Sequence, residues 1–567
     1  MSRQGEQDVR WSDYIAVAAV EPAATVHTAS DGDLWPSCWA DDGALYAACG
    51  DGRGFSAAGW ADIVVNRITG TPESGLDGER LASGRSVAPV WTDPGRFNSK
   101  PTGMVAVDGN RDGKDELYLA VQDLAYGGST AFSEAPAIGI VRSDDHGRSW
   151  ENTGMLFGNH VFTTIMFLDF GRSNARAAVL EHLPTGDGRE FVYAYGLDHN
   201  WRASYSRQVP DPVDLYLARV PVGHVQDRSR WEFFAGCAAD GVPRWSRAID
   251  DRMAVLHDER RRYVGDVRDP RGGTLISQGG VVYVPGLKRY VYTSWTEFTF
   301  EFFEAPMPWG PWRQCLQRDF GVFPWVGPHV PGARHGGYAT TIPSKFLDSD
   351  GRGGWLQSNW FWQSAALSGR SYSFSLRRVE FEPYSLDDPL ALSGVNHALP
   401  GLGGSPIATL FRSGCPGVLN DADSVSAEDS WNGVARDQDD HWGVVWARQR
   451  WIDHVVFTHG TVDDTGGWFA IAPRIEIRHR GRWSPVESRV TPDYEPGPAA
   501  LETRRYTFDF DPQLLDGVRV TGPPSGSESR TTAAELEAYL SERGYAAINP
   551  RRLPEDIETG DGGRHER

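Results

Sequence analysis

The chain has 567 residues and a formal net charge of −20, from 56 Lys and Arg against 76 Asp and Glu. This length exceeds one ordinary domain and allows a large buried core. An acidic surface repels nucleic acid and anionic membranes, which excludes polyanionic partners and favours a neutral polymer rich in hydroxyls. The 64 Gly, 36 Pro and many aromatic residues (22 Trp, 19 Tyr and 25 Phe) indicate short strands and turns rather than long helices.

The first twenty residues do not resemble an export signal. Glu6, Asp8 and Asp13 are acidic where a signal needs positive charge, and the apolar run at 15–20 is short. No later stretch has the length and hydropathy of a membrane span. The sequence as given therefore predicts an N-terminal extension over residues 1–20 and a cytoplasmic protein that does not span a membrane. The oligomeric state stays open.

The following stretch predicts a β-hairpin with acidic residues at its open end. Asp31 and Asp33 precede the first strand, and Asp51 follows the second; Asp-Gly pairs supply the turn conformations. Because the strands are antiparallel, these carboxylates converge at one rim. Two neighbouring carboxylates can supply the general acid and the base or nucleophile of glycoside hydrolysis. The alternative is that the Asp-Gly pairs are only turns.

The five cysteines show no spacing typical of a zinc site, so no metal or other cofactor is predicted. Cys38 and Cys49 lie in the two strands of the predicted hairpin. They either form a disulfide across it or remain two small buried thiols.

A β segment with a charged or polar residue at a matched place recurs five times, and its last residues are 75, 77, 85 and 73 positions apart. Each segment follows an aromatic-rich strand, and three are followed by a Trp that precedes an outer strand. Radial repetition of four-stranded sheets is typical of a β-propeller, so residues 21–390 are predicted to form five blades. The repeated segments are 63–67, 138–142, 215–219, 300–304 and 372–377.

Polar residues stand at the start of each predicted innermost strand. Five such polar strand starts around one axis would form a polar pocket, where a ligand usually binds. The alternative is that these residues only form hydrogen bonds with the exposed ends of the strands. The segments are 30–35, 98–103, 160–164, 277–280 and 335–338. Beside Asp33 and Asp51, the residues predicted to bind substrate are Asp31, Trp35, Lys100, Thr163, Gln278, His335 and Tyr338.

Two further kinds of motif concern alternative interpretations, a sialidase and a calcium-stabilised scaffold. Residues 143–150 match the Asp-box, S-x-D-x-G-x-x-W, of sialidase-type propellers, where the motif is a structural turn. A sialidase needs three Arg for its substrate carboxylate, and the predicted channel segments contain none. The loops at 108–113 and 348–351 resemble short calcium loops but lack the distal Glu, which favours turns.

The composition changes near residue 390. Residues 391–420 are rich in Gly, Pro and Ser and predict a linker or the first loops of a new unit. Short alternating strands over residues 421–545 predict a β-sandwich, in which residues 531–537 are a capped helix or a last strand. Residues 546–567 are polar and predict a flexible tail.

The first region resembles a bacterial family of five-bladed propellers, formerly of unknown function, that includes endo-D-arabinanases acting on mycobacterial cell walls. The resemblance implies that Asp33 and Asp51 match the catalytic carboxylates and that the substrate is a polysaccharide. Such a substrate would favour an exported protein, in contrast to the N-terminus. The matching stretches are 30–33, 49–52, 215–220, 231–234, 308–312 and 343–346.

The second region resembles discoidin-like, galactose-binding sandwiches of jelly-roll type, which implies a carbohydrate-binding module. The matching stretches are 466–469, 483–486, 506–508, 517–520 and 532–539.

These observations lead to an all-β fold, a five-bladed propeller followed by a sandwich, and to a glycoside hydrolase acting on a furanose-rich polysaccharide such as arabinan. The alternative is a non-catalytic, lectin-like propeller. An aromatic floor in place of the paired carboxylates would favour the lectin.

Overall fold

The structure is a computed structural model that describes residues 12, 14–21, 24–127, 132–180, 190–204, 207–238, 241–262, 271–296, 299–319, 337–364, 369–383, 394–414, 416–435, 438–497 and 504–548. These residues fall into two compact units, which separate near residue 384. Within the described ranges, no helix is long and apolar enough to cross a membrane.

The first unit is a five-bladed β-propeller, as predicted. Two short elements, β1 (Ile15–Val20) and β2 (Val26–His27), precede the first blade. Blade 1 contains β3 (Asp31–Asp33), β4 (Ser37–Trp39), β5 (Leu45–Gly54), β6 (Ala61–Thr71) and β7 (Gly75–Ser83). Blade 2 contains β8 (Phe97–Val107), β9 (Glu116–Ala125), β10 (Ile138–Ser143) and β11 (Glu151–Phe157).

Blades 3 and 4 follow the same order from axis to periphery. Blade 3 contains β12 (Thr164–Asp169), β13 (Phe191–Leu197), β14 (Asp214–Pro221), β15 (Glu232–Cys237), β16 (Pro243–Ser246) and β17 (Ala254–His257). A two-stranded ladder of β18 (Arg261–Arg262) and β19 (Gly273–Thr274) comes next. Blade 4 contains β20 (Val281–Val284), β21 (Arg289–Trp295), β22 (Thr299–Ala305) and β23 (Arg313–Asp319).

The N-terminal strand closes the last blade. This blade contains β24 (Gly353–Gln357), the hairpin of β25 (Trp360–Ser364) and β26 (Gly369–Ser373), and β27 (Ser375–Pro383). Strand β1 pairs antiparallel with β27 as the outer strand, so the ring has no open edge at its seam. The predicted extension of residues 1–20 therefore ends in a strand of the propeller.

The repeated segments of the sequence become the third strand of each blade, in β6, β10, β14, β22 and β27. Apolar residues on both faces of these strands pack against the neighbouring blades. The resulting five hydrophobic layers each lie between two adjacent blades. This arrangement explains why the strands are apolar almost throughout instead of alternating.

One segment from each blade lines a channel along the axis. The lining residues are Pro36–Ser37, Thr102–Met104, Met166–Phe167 with Asp169, Gly279–Val281 and Thr341–Pro343. Two of the predicted innermost strands begin later than expected. His160, Phe162 and Ala339 have positive φ angles of 62°, 54° and 48°, which interrupt an extended strand, so the residues before Thr164 and Thr341 are turns.

The second unit is a β-sandwich. Its strands are β28 (Ser405–Ala408), β29 (Glu428–Asp429), β30 (Asp440–Thr458), β31 (Arg474–His479), β32 (Arg482–Val486), β33 (Arg489–Thr491), β34 (Arg505–Gly522), β35 (Thr532–Ala533) and β36 (Glu535–Tyr539), followed by α1 (Glu542–Ile548). The long strands β30 and β34 pair with two breaks in register, and such breaks bend a sheet.

The boundaries of the sandwich differ from the prediction. Strand β28, in the predicted linker, pairs with β30 and belongs to the sheet. Of the two alternatives predicted for residues 531–537, the structure shows strands, β35 and β36, and the short helix α1 continues to residue 548, into the predicted tail. The last residues, 549–567, lie outside the described part of the chain.

Candidate active site at the channel rim

The predicted hairpin places acidic residues at one rim of the channel. Strands β3 and β5 pair antiparallel, with Asp33 opposite Gly50, so Asp33 and Asp51 come from neighbouring strands. Lys100, near the start of the inner strand of blade 2, forms an ion pair with Asp51 through Nζ and Oδ1. The Lys100 side chain is 1% exposed and that of Asp51 is 25% exposed. The site therefore joins two carboxylates and one ammonium group across two blades.

Gly50 leaves the space in which these groups meet. A Cβ atom at this position would lie 2.6 Å from Asp33 Oδ1 and 3.2 Å from Lys100 Cδ. A larger residue would therefore displace the side chains of Asp33 and Lys100. Asp51 itself has a φ of 42°, in the left-handed region that residues with a side chain rarely adopt. Uncommon backbone conformations of this kind cluster at functional sites.

Asp33 is buried, with 8% of its surface exposed. The Tyr338 hydroxyl donates a hydrogen bond of 2.8 Å to Asp33 Oδ2, while Oδ1 is buried without a hydrogen-bond partner among the described residues. Burial and the negative charge of Asp51 raise the pKa of Asp33 to about 6, against the opposing effects of Lys100 and Tyr338. Asp33 can therefore hold a proton in mildly acidic solution, whereas Asp51 is paired with a cation.

An aromatic cluster lies next to Asp33 at this rim of the channel. Tyr338 packs with Trp295 and Trp201, at ring-centroid distances of 5.5 Å and 6.2 Å. Tyr372 contacts Tyr338 edge to face at 5.9 Å. Burial raises the pKa of Tyr372 well above its ordinary value, as does the negative charge of Asp33. The cluster provides the apolar surroundings that disfavour the charged form of Asp33.

Sequence reasoning missed Trp201, Trp295 and Tyr372. They stand in or after the second strand of their blades, or in the hairpin of blade 5, and only the packing of the blades brings them to the axis.

Asp62 is a further carboxylate that sequence reasoning missed. In the β5–β6 ladder Gly50 pairs with Ile63 and Gly52 with Ala61, which places Asp62 across from Asp51. Side chains opposite one another in a ladder point to the same face. Asn98 of blade 2 donates to Asp62 Oδ1 at 3.5 Å, parallel to the contact of Lys100 with Asp51. The sequence signal that could have identified Asp62 is its position directly before the repeated segment at 63–67.

Among the predicted substrate-binding residues, Asp31 lies at the rim beside the carboxylate pair. Its pKa is raised by burial, and the nearby Arg53 opposes this rise at 4.0 Å. Tyr338 lies in the site but is itself buried. His335 lies outside the described residues.

Three residues predicted to bind substrate are instead buried and form hydrogen bonds with the backbone. Trp35 is fully buried, donates from Nε1 to Gly32 O at 2.7 Å, and belongs to the layer between blades 1 and 5. Thr163 is fully buried and donates to Ala135 O at 2.6 Å. Gln278 is 2% exposed and donates to Pro101 O at 3.2 Å, beside Lys100. The donor groups of these three buried side chains bond to backbone carbonyl oxygens.

Cys38 and Cys49 are free, buried thiols and do not form a disulfide. In the part of the chain that the structure describes, one group of side chains has the spacing for a metal ion: Asp41, Asp42 and His146. Asp41 already contacts His146 at 2.7 Å, and Asp42 pairs with Arg67 at 2.9 Å. These contacts satisfy the group without an ion.

The predicted structural turns form as hydrogen-bonded loops. In the turn between β10 and β11, Asp145 accepts hydrogen bonds from Ser143, Arg148 and Ser149. The Asp108 carboxylate accepts the backbone N–H groups of Asp112 and Gly113.

No protein-family model and no curated protein sequence matches the chain. Similar solved structures include a protein from Bacteroides ovatus proposed to be a hydrolase, with 8% identity, a TM-score of 0.38, and coverage of 67% of this chain and 96% of that one. The GH43_1 enzyme from Xanthomonas citri, complexed with xylotriose, has 15% identity, a TM-score of 0.31, and coverage of 66% and 91%. The family 32 carbohydrate-binding module of Clostridium perfringens NanJ, in complex with galactose, has 19% identity, a TM-score of 0.20, and coverage of 24% and 93%. Similarities of this size carry no information on activity.

Proposed function

We propose that the propeller is a glycoside hydrolase that cleaves a furanose-rich polysaccharide, most specifically an arabinan, with Asp33 and Asp51 as its catalytic carboxylates. The observation that carries this proposal is the pairing of a buried carboxyl group, which holds a proton up to a pH of about 6, with a second carboxylate paired with Lys100. A carboxyl group with a raised pKa can serve as the acid beside a second carboxylate, and glycoside hydrolysis requires such a pair.

The different environments of the two carboxyl groups support different roles. Asp33 is the general acid, since its surroundings favour the protonated form, and it transfers its proton to the glycosidic oxygen as the C–O bond breaks. Asp51 is the carboxylate that attacks the anomeric carbon or removes a proton from the attacking water. Lys100 pairs with Asp51 and holds it in position, and the Tyr338 hydroxyl holds Asp33 Oδ2.

The substrate class follows from charge and from the sequence resemblance. A chain with a net charge of −20 favours neutral polymers over acidic ones. Asp33 and Asp51 are the positions that match the carboxylates of the endo-D-arabinanases. The lectin-like alternative is less well supported, because the aromatic cluster adjoins the carboxylate pair and does not replace it.

The test is release of reducing sugar from a panel of polysaccharides that includes mycobacterial arabinogalactan, by the wild type, Asp33→Asn and Asp51→Asn. The matched control is Asp144→Asn, whose side chain is 57% exposed in the turn between β10 and β11, on the opposite rim. We expect release by the wild type and the control and none by the two site variants. Binding of a glycan without hydrolysis, unaffected by both site substitutions, would identify a lectin.

Arabinan oligosaccharides with a nitrophenyl leaving group separate the two roles. This leaving group needs no protonation, so an Asp33→Ala variant should still cleave such a substrate while losing activity on arabinan. Asp51→Ala should cleave neither substrate. The opposite pattern would exchange the roles.

A further inference from the structure

Exposed aromatic side chains are concentrated at one rim of the propeller. In the described part of the chain the large aromatic side chains with the greatest exposure are Trp60 at 56%, Tyr126 at 42% and Phe132 at 38%. All three stand in the loops of blades 1 and 2. Most other aromatic side chains are used in the core, so this grouping is unlike the rest of the surface.

The strand register places these residues at the rim that carries the carboxylates. Trp60 directly precedes Ala61, which pairs with Gly52, next to Asp51. Tyr126 follows Ala125, which pairs with Phe97 at the start of the strand that holds Lys100.

Further contacts at this rim lie within blade 2 and between blades 1 and 2. The Phe132 N–H donates to Ala125 O at 2.8 Å. The two blades meet here through the contacts of Lys100 with Asp51 and of Asn98 with Asp62. The three aromatic residues therefore lie in loops at the rim where these two blades meet.

The backbone beside each aromatic residue is braced. Arg80 donates to Gly59 O at 2.7 Å, directly before Trp60. The Tyr126 hydroxyl donates to Pro94 O at 3.2 Å. Asn200 donates to the carbonyl oxygen of Phe132 at 3.2 Å. Exposed rings on a prearranged backbone lose little conformational freedom when they bind a ligand.

We propose that Trp60, Tyr126 and Phe132 form a platform on which sugar units outside the cleaved linkage stack, so that the enzyme holds a long chain and cuts within it. This inference rests on the proposed function. Sugar rings present C–H bonds to the electron-rich face of an aromatic ring and hydroxyl groups to carboxylates, and the rim offers both surfaces. The acidic charge of the protein agrees with a neutral chain as the occupant.

The test compares Trp60→Ala, Tyr126→Ala, Phe132→Ala and the triple variant with Met155→Ala. Met155 is a matched control because it is 54% exposed on β11, the outer strand of blade 2. Each substitution is also made in the Asp51→Asn background, and binding to soluble arabinan is measured by affinity electrophoresis. We expect the triple variant to bind the polymer about tenfold more weakly, which corresponds to about 1.4 kcal/mol.

A second readout is the ratio of kcat/KM on arabinan to kcat/KM on the shortest oligosaccharide that is cleaved. This ratio should fall about tenfold in the triple variant and stay constant in Met155→Ala. An unchanged ratio together with unchanged polymer binding would overturn the platform, even if hydrolysis is observed. Absence of hydrolysis by the wild type would overturn the proposed function, and the binding measurement would still decide on the platform.

Size-exclusion chromatography examines a second possible occupant. If the wild type forms a dimer that the triple variant cannot form, the patch binds a second copy of the chain and the platform is refuted. A monomer in both cases supports the glycan as the occupant.

Discussion

Replacement of Asp33 by Asn should stabilise the protein at neutral pH while abolishing activity. The pKa of Asp33 is raised from 3.8 to about 6, mainly because the carboxyl group is buried. The folded state therefore binds this proton more tightly than the unfolded state, and stability falls as the pH rises from 3.8 to about 6. A shift of about 2 units corresponds to about 3 kcal/mol, present in full above the folded pKa. An amide that cannot ionise removes this cost, and its oxygen can still accept the hydrogen bond of Tyr338.

Urea denaturation of Asp33→Asn and wild type measures the difference, at neutral pH and at about pH 4, where the wild-type carboxyl is protonated in the folded state. We expect the variant to be more stable by about 3 kcal/mol at neutral pH and nearly equal to wild type at the acidic pH. Asp144→Asn should show no such pH-dependent gain. A variant that is less stable than wild type at neutral pH would refute the reasoning, since the attraction of Lys100 would then outweigh the cost of burial.

Three other expectations follow from the structure. Lys100→Met removes a cation that lowers the pKa of Asp33, so the pKa should rise in the variant. The alkaline limb of the profile of kcat/KM against pH should then move to higher pH. An unmoved limb would contradict the role of Asp33 as the acid. Gly50→Ala places a methyl group 2.6 Å from Asp33 Oδ1, so activity should fall about 100-fold while circular dichroism shows an intact fold. Burial lowers the pKa of His459 in the sandwich from 6.5 to about 4. The free energy of unfolding should therefore fall by about 3 kcal/mol on acidification from pH 6.5 to about pH 4. His459→Gln should lose this pH dependence.

Much of the site was accessible before the structure, because its geometry is local. Asp33 and Asp51 belong to one hairpin, and antiparallel pairing alone brings such ends together. Lys100 was a candidate because it begins an inner strand. Trp35 was misplaced because Leu34 and Trp35 have φ angles of 73° and 53°, which break the alternation of strand faces and turn the indole into the core.

The sequence by itself determined the number of blades, since apolar segments recur at a nearly constant interval and each must bury both faces against its neighbours. It also determined the pair of carboxylates. The tertiary structure alone decided the chemistry available to them, because the pKa of Asp33 depends on its burial and on contacts with Lys100 and Tyr338, which come from other blades. The ion pair of Lys100 with Asp51 likewise exists only where blades 1 and 2 pack together, since no local rule of sequence determines the distance between side chains of different sheets.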